Sequence, residues 1–95
     1  MAGPVLQLAL SGEIDLRRAT ELRKTAEAYE RGDIPSVHVD LGDVTFLDSI
    51  GLAFLARLAR TATARGGEVT VSGARPIVRR VLEVSGLLTV LRLEP

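Results

Sequence analysis

The chain contains no cysteine and no tryptophan, and only one histidine, His38. Without cysteine there are no disulfides, thiolate metal sites or cysteine nucleophiles, a composition compatible with a reducing compartment. Net charge is missing as well: twelve basic and twelve acidic residues cancel. Neither sign forms a block, so the electrostatic footprint of a nucleic-acid or anionic-lipid binder is absent. Long apolar runs are lacking too, since stretches such as Gly51–Ala56 fall far short of the roughly 20 residues of a membrane span. Met1-Ala2-Gly3-Pro4 does not follow the basic-then-apolar pattern of a secretory signal, which makes a cytoplasmic location without membrane insertion the expectation. Aromatic residues are limited to Tyr29, Phe46 and Phe54. A core must therefore be assembled from Leu, Val, Ile and Ala.

What is present suits such a core. Hydrophobic residues make up 46% of the 95 positions, enough for one domain over 1–95 and not for two. Leu6, Leu8 and Leu10 alternate with Gln7 and Ala9, a strand of period two that Ser11-Gly12 is expected to end. The period then changes. Leu16, Ala19, Leu22, Ala26 and Tyr29 share one helical stripe among charged neighbours, with Asp15 as N-cap and Gly32 as stop.

Val37, Val39 and Leu41 form a second strand, which Gly42-Asp43 is expected to interrupt. After Asp48-Ser49 the residues Ile50 to Ala59 are apolar nearly all round. That pattern predicts a buried helix touching solvent only along Arg57, Arg60 and Ala64, ending at Arg65-Gly66-Gly67. Val69 and Val71 mark a third strand, Pro76 to Ser85 a helix stopped by Gly86, and Thr89 to Leu93 a last strand. Strands alternating with helices at this spacing imply an α/β fold, a small and mostly parallel sheet joined by right-handed crossovers.

Few residues are placed to carry chemistry. A hydrolytic serine needs a base, and the one histidine lies in the middle of a strand. The residue two before Ser49 is Leu47, so the Gly-x-Ser-x-Gly elbow is not matched. No phosphate-binding loop is present. Asp40, Asp43 and Asp48 have no spacing that specifies a coordination sphere, so neither a metal nor a cofactor is expected. Asp48-Ser49-Ile50-Gly51-Leu52 remains. In its plainer role Ser49 is the N-cap of the buried helix, its hydroxyl accepting a backbone N–H bond worth about 1 kcal/mol. The functional reading adds that a helix start tolerates a phosphate on that hydroxyl, and that Gly51, lacking Cβ, leaves the helix start open to another chain.

These residues resemble the STAS domain family, and within it the single-domain anti-sigma factor antagonists of bacterial partner switching. The resemblance runs through Leu10-Ser11-Gly12-Glu13-Ile14-Asp15, through Val39-Asp40-Leu41 and Val44 to Leu52, and through Gly66-Gly67-Glu68-Val69 to Val84-Ser85-Gly86-Leu87. It implies a STAS-like fold lacking the family's usual extra N-terminal strand and C-terminal helix. Ser49 matches the phosphorylated serine, Asp48 the acidic residue before it, and Asp15 the aspartate of a Gly-Glu-x-Asp turn associated with the kinase-facing surface. The resemblance thus implies partner-binding residues Asp15, Asp48, Ser49, Ile50, Gly51 and Leu52, and no catalysis by the chain itself. The implied partners are an anti-sigma factor with serine kinase activity and a protein phosphatase, acting in transcription regulation of the stress-response and sporulation kind. Ile50 departs from the pattern, since many members carry a second hydroxyl residue there. An uncovered sheet edge invites self-pairing into a weak homodimer, or a partner strand. The alternative role within the family is the STAS subunit of a lipid-transport ABC system.

Overall fold

The computed structural model describes residues 3–94. Four strands and three helices alternate: β1 (Val5–Ile14), α1 (Ala19–Arg31), β2 (Ser36–Leu47), α2 (Ser49–Ala64), β3 (Val69–Ser72), α3 (Pro76–Ser85) and β4 (Leu91–Leu93). Short 3-10 turns at Leu16–Arg18 and Leu87–Thr89 precede α1 and β4. All neighbouring strands are parallel and the sheet order is β1-β2-β3-β4. Strands that progress steadily across a sheet through crossovers of one hand place their helices on one face, and burial follows that pattern. Val37, Val39, Val69 and Val71 join Leu22, Ala26 and Tyr29 of α1, Phe54, Leu55 and Leu58 of α2, and Val78 and Leu82 of α3 in one core. The opposite face carries the row Gln7, His38, Thr70 and Arg92.

Two expected strand ends are bulges instead. β1 continues through Ser11-Gly12 and β2 through Gly42-Asp43, so that twelve residues of β2 accompany ten of β1. The register slips by one extra β2 residue between Ala9 and Ser11, and again between Gly12 and Glu13. Turn-type residues inside a paired strand are accommodated as local kinks when the hydrophobic pattern resumes beyond them, as Val44 and Leu47 make it do. The last strand is shorter than the Thr89–Leu93 expected, because Leu87–Thr89 winds into a 3-10 turn. Gly86 does stop α3, with φ +81° in the left-handed region. Gly32 ends α1 without a left-handed turn, its φ being −85°.

The carbonyls at that end of α1 are satisfied from α2 instead. Arg65 donates to the carbonyls of Tyr29, Glu30, Gly32 and Ile34 at 2.8–3.2 Å, and its guanidinium lies 4.9 Å from the centre of the Tyr29 ring. Midway along, Arg57 forms a two-pronged pair with Glu30 at 2.6 and 2.7 Å. At its beginning, α2 approaches the sheet so closely that a Cβ on Gly51 would overlap Leu47 Cδ1 and lie 3.0 Å from Ile14 Cγ2. The helix is thus held at both ends and in its middle. Its exposed residues include Ser49, Ala53 and Thr63 beyond the expected Arg60 and Ala64, while Arg57 is partly buried.

Alanine is about 1 kcal/mol better than glycine in a helix, but overpacking a core costs about 1–3 kcal/mol. Gly51→Ala is therefore expected to lower unfolding stability, and Gly51→Val to lower it further, in denaturant titrations; an alanine variant more stable than the parent would contradict the packing. Arg57 holds the Glu30 carboxyl below its ordinary range, chiefly by hydrogen bonding. A carboxylate so lowered stabilises the fold above its unfolded value near 4.5, and that contribution is lost as pH falls through the folded value. The stability gap between the parent and Glu30→Gln is expected to be full at neutral pH and to close on acidification, as read by melts across pH 3 to 7.

Candidate functional site

β1 and β2 end side by side, Ile14 paired with Leu47, and each strand is followed by an aspartate that starts a helical turn. Asp48 has an extended backbone (φ −110°, ψ −164°), and its Oδ1 accepts the Ile50 N–H at 2.8 Å. Its own N–H donates to the Ile14 carbonyl at 3.2 Å, which ties this loop to the neighbouring one. Asp15 repeats the arrangement with φ −134° and ψ −169°, accepting the Arg17 N–H at 3.0 Å. The Arg17 guanidinium closes back on Asp15 Oδ2 at 2.8 Å and on Glu13 at 3.2 Å. That hydrogen bonding holds the Asp15 carboxyl below its ordinary range. The adjacent Arg18 is occupied by Glu21 and by the carbonyls of Ser11 and Glu13.

The cap of α2 is therefore Asp48 and not Ser49. Ser49 is the first residue inside the helix, and among the described residues its hydroxyl makes no hydrogen bond. The strand ends at Leu47, so the first non-helical carboxylate reaches the free N–H groups before the serine does. The consequence is that an exposed hydroxyl stands at the helix start with no structural duty.

The other expected site residues divide into two groups. Ile50 and Leu52 are half-buried beside Ser49. Gly51 is buried, and its missing Cβ makes room for Leu47 and Ile14, so it admits the protein's own sheet and offers no opening to another chain. It acts on the site by setting where the helix starts. Two surface residues at this end were not singled out as site residues: Leu16, 72% exposed, and Phe46, 45% exposed. Leu16 leaves the buried stripe because its turn is 3-10, with three residues per turn in place of 3.6. Phe46 faces out because the second bulge falls just before it. Beyond Ile50, a shallow groove of about 170 Å³ runs between α1 and α2, with Leu22, Ala26, Ala53 and Phe54 along it and Arg23 and Arg57 at its sides.

Among the described residues no hydrogen bond joins the Ser49 hydroxyl to a base. His38 lies on the open face of the sheet with its ring nitrogens 2.7 Å from Thr70 Oγ1 and 2.9 Å from Ser72 Oγ. Asp40 turns onto the Gly42 N–H at 2.8 Å, and among the described residues no three His, Asp or Glu side chains converge on a cation position. No helix among them is long and apolar enough to cross a membrane. The geometry presents a hydroxyl, an acidic rim and an apolar surface.

Comparison with known proteins agrees with this arrangement of elements. A family model described as Mlab, STAS domain matches residues 1–93. The anti-sigma F factor antagonist of Paenibacillus polymyxa is 32% identical over 88 residues, covering 92% of this chain and 75% of that protein. The crystal structure of an anti-sigma factor antagonist from Mycobacterium paratuberculosis superposes with a TM-score of 0.80 at 31% identity, over 93% of this chain and 75% of that one. The fold is also that of SpoIIAA, known in unphosphorylated form (TM-score 0.79, 22% identity, 95% of this chain and 81% of that one). In its phosphorylated form the Bacillus protein matches with a TM-score of 0.71 at 21% identity, over 93% and 81% of the two chains. The parallel β1-β2 ends, the two aspartate caps and the serine that opens α2 thus sit in a chain that belongs to the STAS domain family.

Proposed function

We propose that the chain is an anti-sigma factor antagonist switched by phosphorylation of Ser49. The observation that carries the reading is the exposed Ser49 hydroxyl, left free by the Asp48 cap at the start of a helix that Gly51 seats on the strand ends. The names of the relatives above support it, as does the existence of one neighbouring fold in both phosphorylation states.

In this scheme the unphosphorylated surface around Ser49 binds an anti-sigma factor that is also a serine kinase, and the sigma factor is released. Ile50 and Leu52 supply apolar contact there, and Asp15 and Asp48 form an acidic rim. The kinase then transfers the γ-phosphoryl group of ATP to Ser49 Oγ, the hydroxyl proton leaving to solvent or to a base on the kinase. The phosphate brings about −1.5 to −2 charges to a position next to Asp48. Arg17 and Arg18 are already engaged with carboxylates and carbonyls, so nearby cations are poorly placed to neutralise it. Like charge and strongly hydrated oxygens on a contact patch cost an interface several kcal/mol, and the complex separates. A protein phosphatase hydrolyses the ester and restores the surface. The chain performs no chemistry itself, and it works in the cytoplasm with its partners.

The helix start favours an anion electrostatically, so the phosphate changes the surface without melting the fold. Ser49→Ala is accordingly expected to leave stability within about 0.5 kcal/mol, whereas Asp48→Ala loses the cap and about 1 kcal/mol; a larger loss at Ser49 would reverse the cap assignment. With the kinase-type anti-sigma factor of the same organism and ATP, mass spectrometry is expected to place one phosphate on Ser49, and label confined to other residues would refute the site. By calorimetry, Ser49→Asp is expected to bind that factor at least about tenfold more weakly, a change of about 1.4 kcal/mol, and Ser49→Ala to bind without being released by ATP. Equal affinity for parent and Ser49→Asp would contradict charge-based release.

A further inference from the structure

The two edges of the sheet differ in how they are protected. β4 is three residues long, and its central Arg92 is paired with Glu68 at 2.8 Å. β1 is ten residues long and, among the described residues, pairs only with β2. From Val5 to Gly12 it carries no charged side chain and no proline. Natural edges of that length are normally blunted by charge, proline or a covering segment, because their unpaired N–H and C=O groups are a template for another strand. A separate feature adjoins it. On the helix side, an apolar cleft of about 290 Å³ opens between β1 and α1, with Leu6, Leu8, Ala28, Tyr29 and Ile34 among its lining residues. Leu6 and Leu8 are only half-buried, and Val5 on the opposite face is 42% exposed.

We infer that β1 is a homodimer interface, in which Val5–Ala9 pairs antiparallel with the same segment of a second copy about a twofold axis through Gln7. This segment is the regular part of the strand, matched one for one with Ser36–Asp40 before the first bulge. Antiparallel pairing about such an axis sets Leu6 opposite Leu8, Val5 opposite Ala9 and Gln7 opposite itself. Directly opposed side chains lie on the same face of a sheet, so apolar meets apolar on both faces and no like charges meet. The leucines of each copy then extend the apolar layer over the cleft of the other. The chain's own strand satisfies this pattern in full, which is why the occupant is a second copy. The two four-stranded sheets become one continuous sheet.

The pairing leaves the switch surface free. β1 reaches that surface at Ile14, and at about 3.3 Å per residue Gln7 lies roughly 20 Å back along the strand. A dimer therefore presents two Ser49 surfaces, and the inference stands or falls independently of what binds them. The ladder is short, so association is weak and concentration-dependent.

Sedimentation equilibrium on the purified chain is expected to show the mass rising from monomer towards dimer as concentration increases. Gln7 is exposed, so charge can be placed on the axis without disturbing the core. Gln7→Glu and Gln7→Lys should each self-associate at least tenfold more weakly with unchanged circular dichroism, and a one-to-one mixture of the two should recover the dimer. Ser49→Asp should dimerise as the parent does. The chain has no native cysteine, and opposed Cα atoms in such a ladder are about 4.5–5.5 Å apart, within disulfide reach. Gln7→Cys should therefore form a covalent dimer on mild oxidation far faster than Arg60→Cys, which is exposed on α2. A parent that stays monomeric at millimolar concentration would overturn the inference and leave the edge to a strand from another protein. A dimer indifferent to both charges at Gln7, or equal cross-linking at the two cysteine positions, would overturn it as well.

Discussion

The close approach of Gly51 to Leu47 and Ile14 is the constraint on which the proposed functional end of this protein depends. A side chain at that position would collide with the last residues of two adjacent strands, so the helix can start only where a glycine occurs one turn in. Once α2 is seated there, the residue after Leu47 must be the cap and the next must be the first helical residue. Asp48 and Ser49 inherit those roles from the packing. Far from the site, Arg65 fastens the other end of the same helix to four carbonyls around the end of α1. A hydroxyl on a helix held in this way has a fixed address on the surface, and a modification there is read as a change of charge rather than of shape.

Electrostatics around the address point the same way. Asp15 and Asp48 each cap a helical turn, and Arg17 and Arg18, just after Asp15, are taken up by Asp15, Glu13, Glu21 and backbone carbonyls. An added phosphate therefore strengthens a negative field that is already present. The apolar residues beside it, Ile50 and Leu52 within α2 and Leu16 and Phe46 at the strand ends, are of the type that a partner buries and that a phosphate would keep wet. The contrast between these two states of one surface is the physical content of a partner switch.

Much of the architecture was legible in the sequence because alternating apolar strands give way to a 3.6-residue stripe in the first helix and to a continuous apolar stretch in the second. The helices of Ala19–Arg31, Ser49–Ala64 and Pro76–Ser85 follow from their apolar patterns, and Gly86 ends the last as expected, but Asp15 caps the 3-10 turn before the first helix and Asp48, not Ser49, caps the second. The family resemblance rested on short segments that lie where the structure puts its bulges, caps and tight contacts. What was not legible depends on contacts between distant segments. Ser11-Gly12 and Gly42-Asp43 read locally as turns, and only their mutual pairing makes them bulges. Leu16 reads as a core leucine until the 3-10 winding rotates it outwards. Gly51 reads as an opening for another chain, whereas the space it leaves is filled from within. Asp48 and Ser49 are both good caps by type, and the end of β2 decides between them.

Amide proton–nitrogen NMR of the chain before and after stoichiometric phosphorylation of Ser49 tests the central claim most directly. A phosphate that alters the surface and leaves the fold intact should shift resonances of the two capped turns, around Glu13–Arg17 and Phe46–Phe54, and leave Val37, Val39 and Val71 of the buried strands unmoved. Shifts spread through those core strands, or loss of their dispersion, would contradict it by showing that the modification acts through the fold itself.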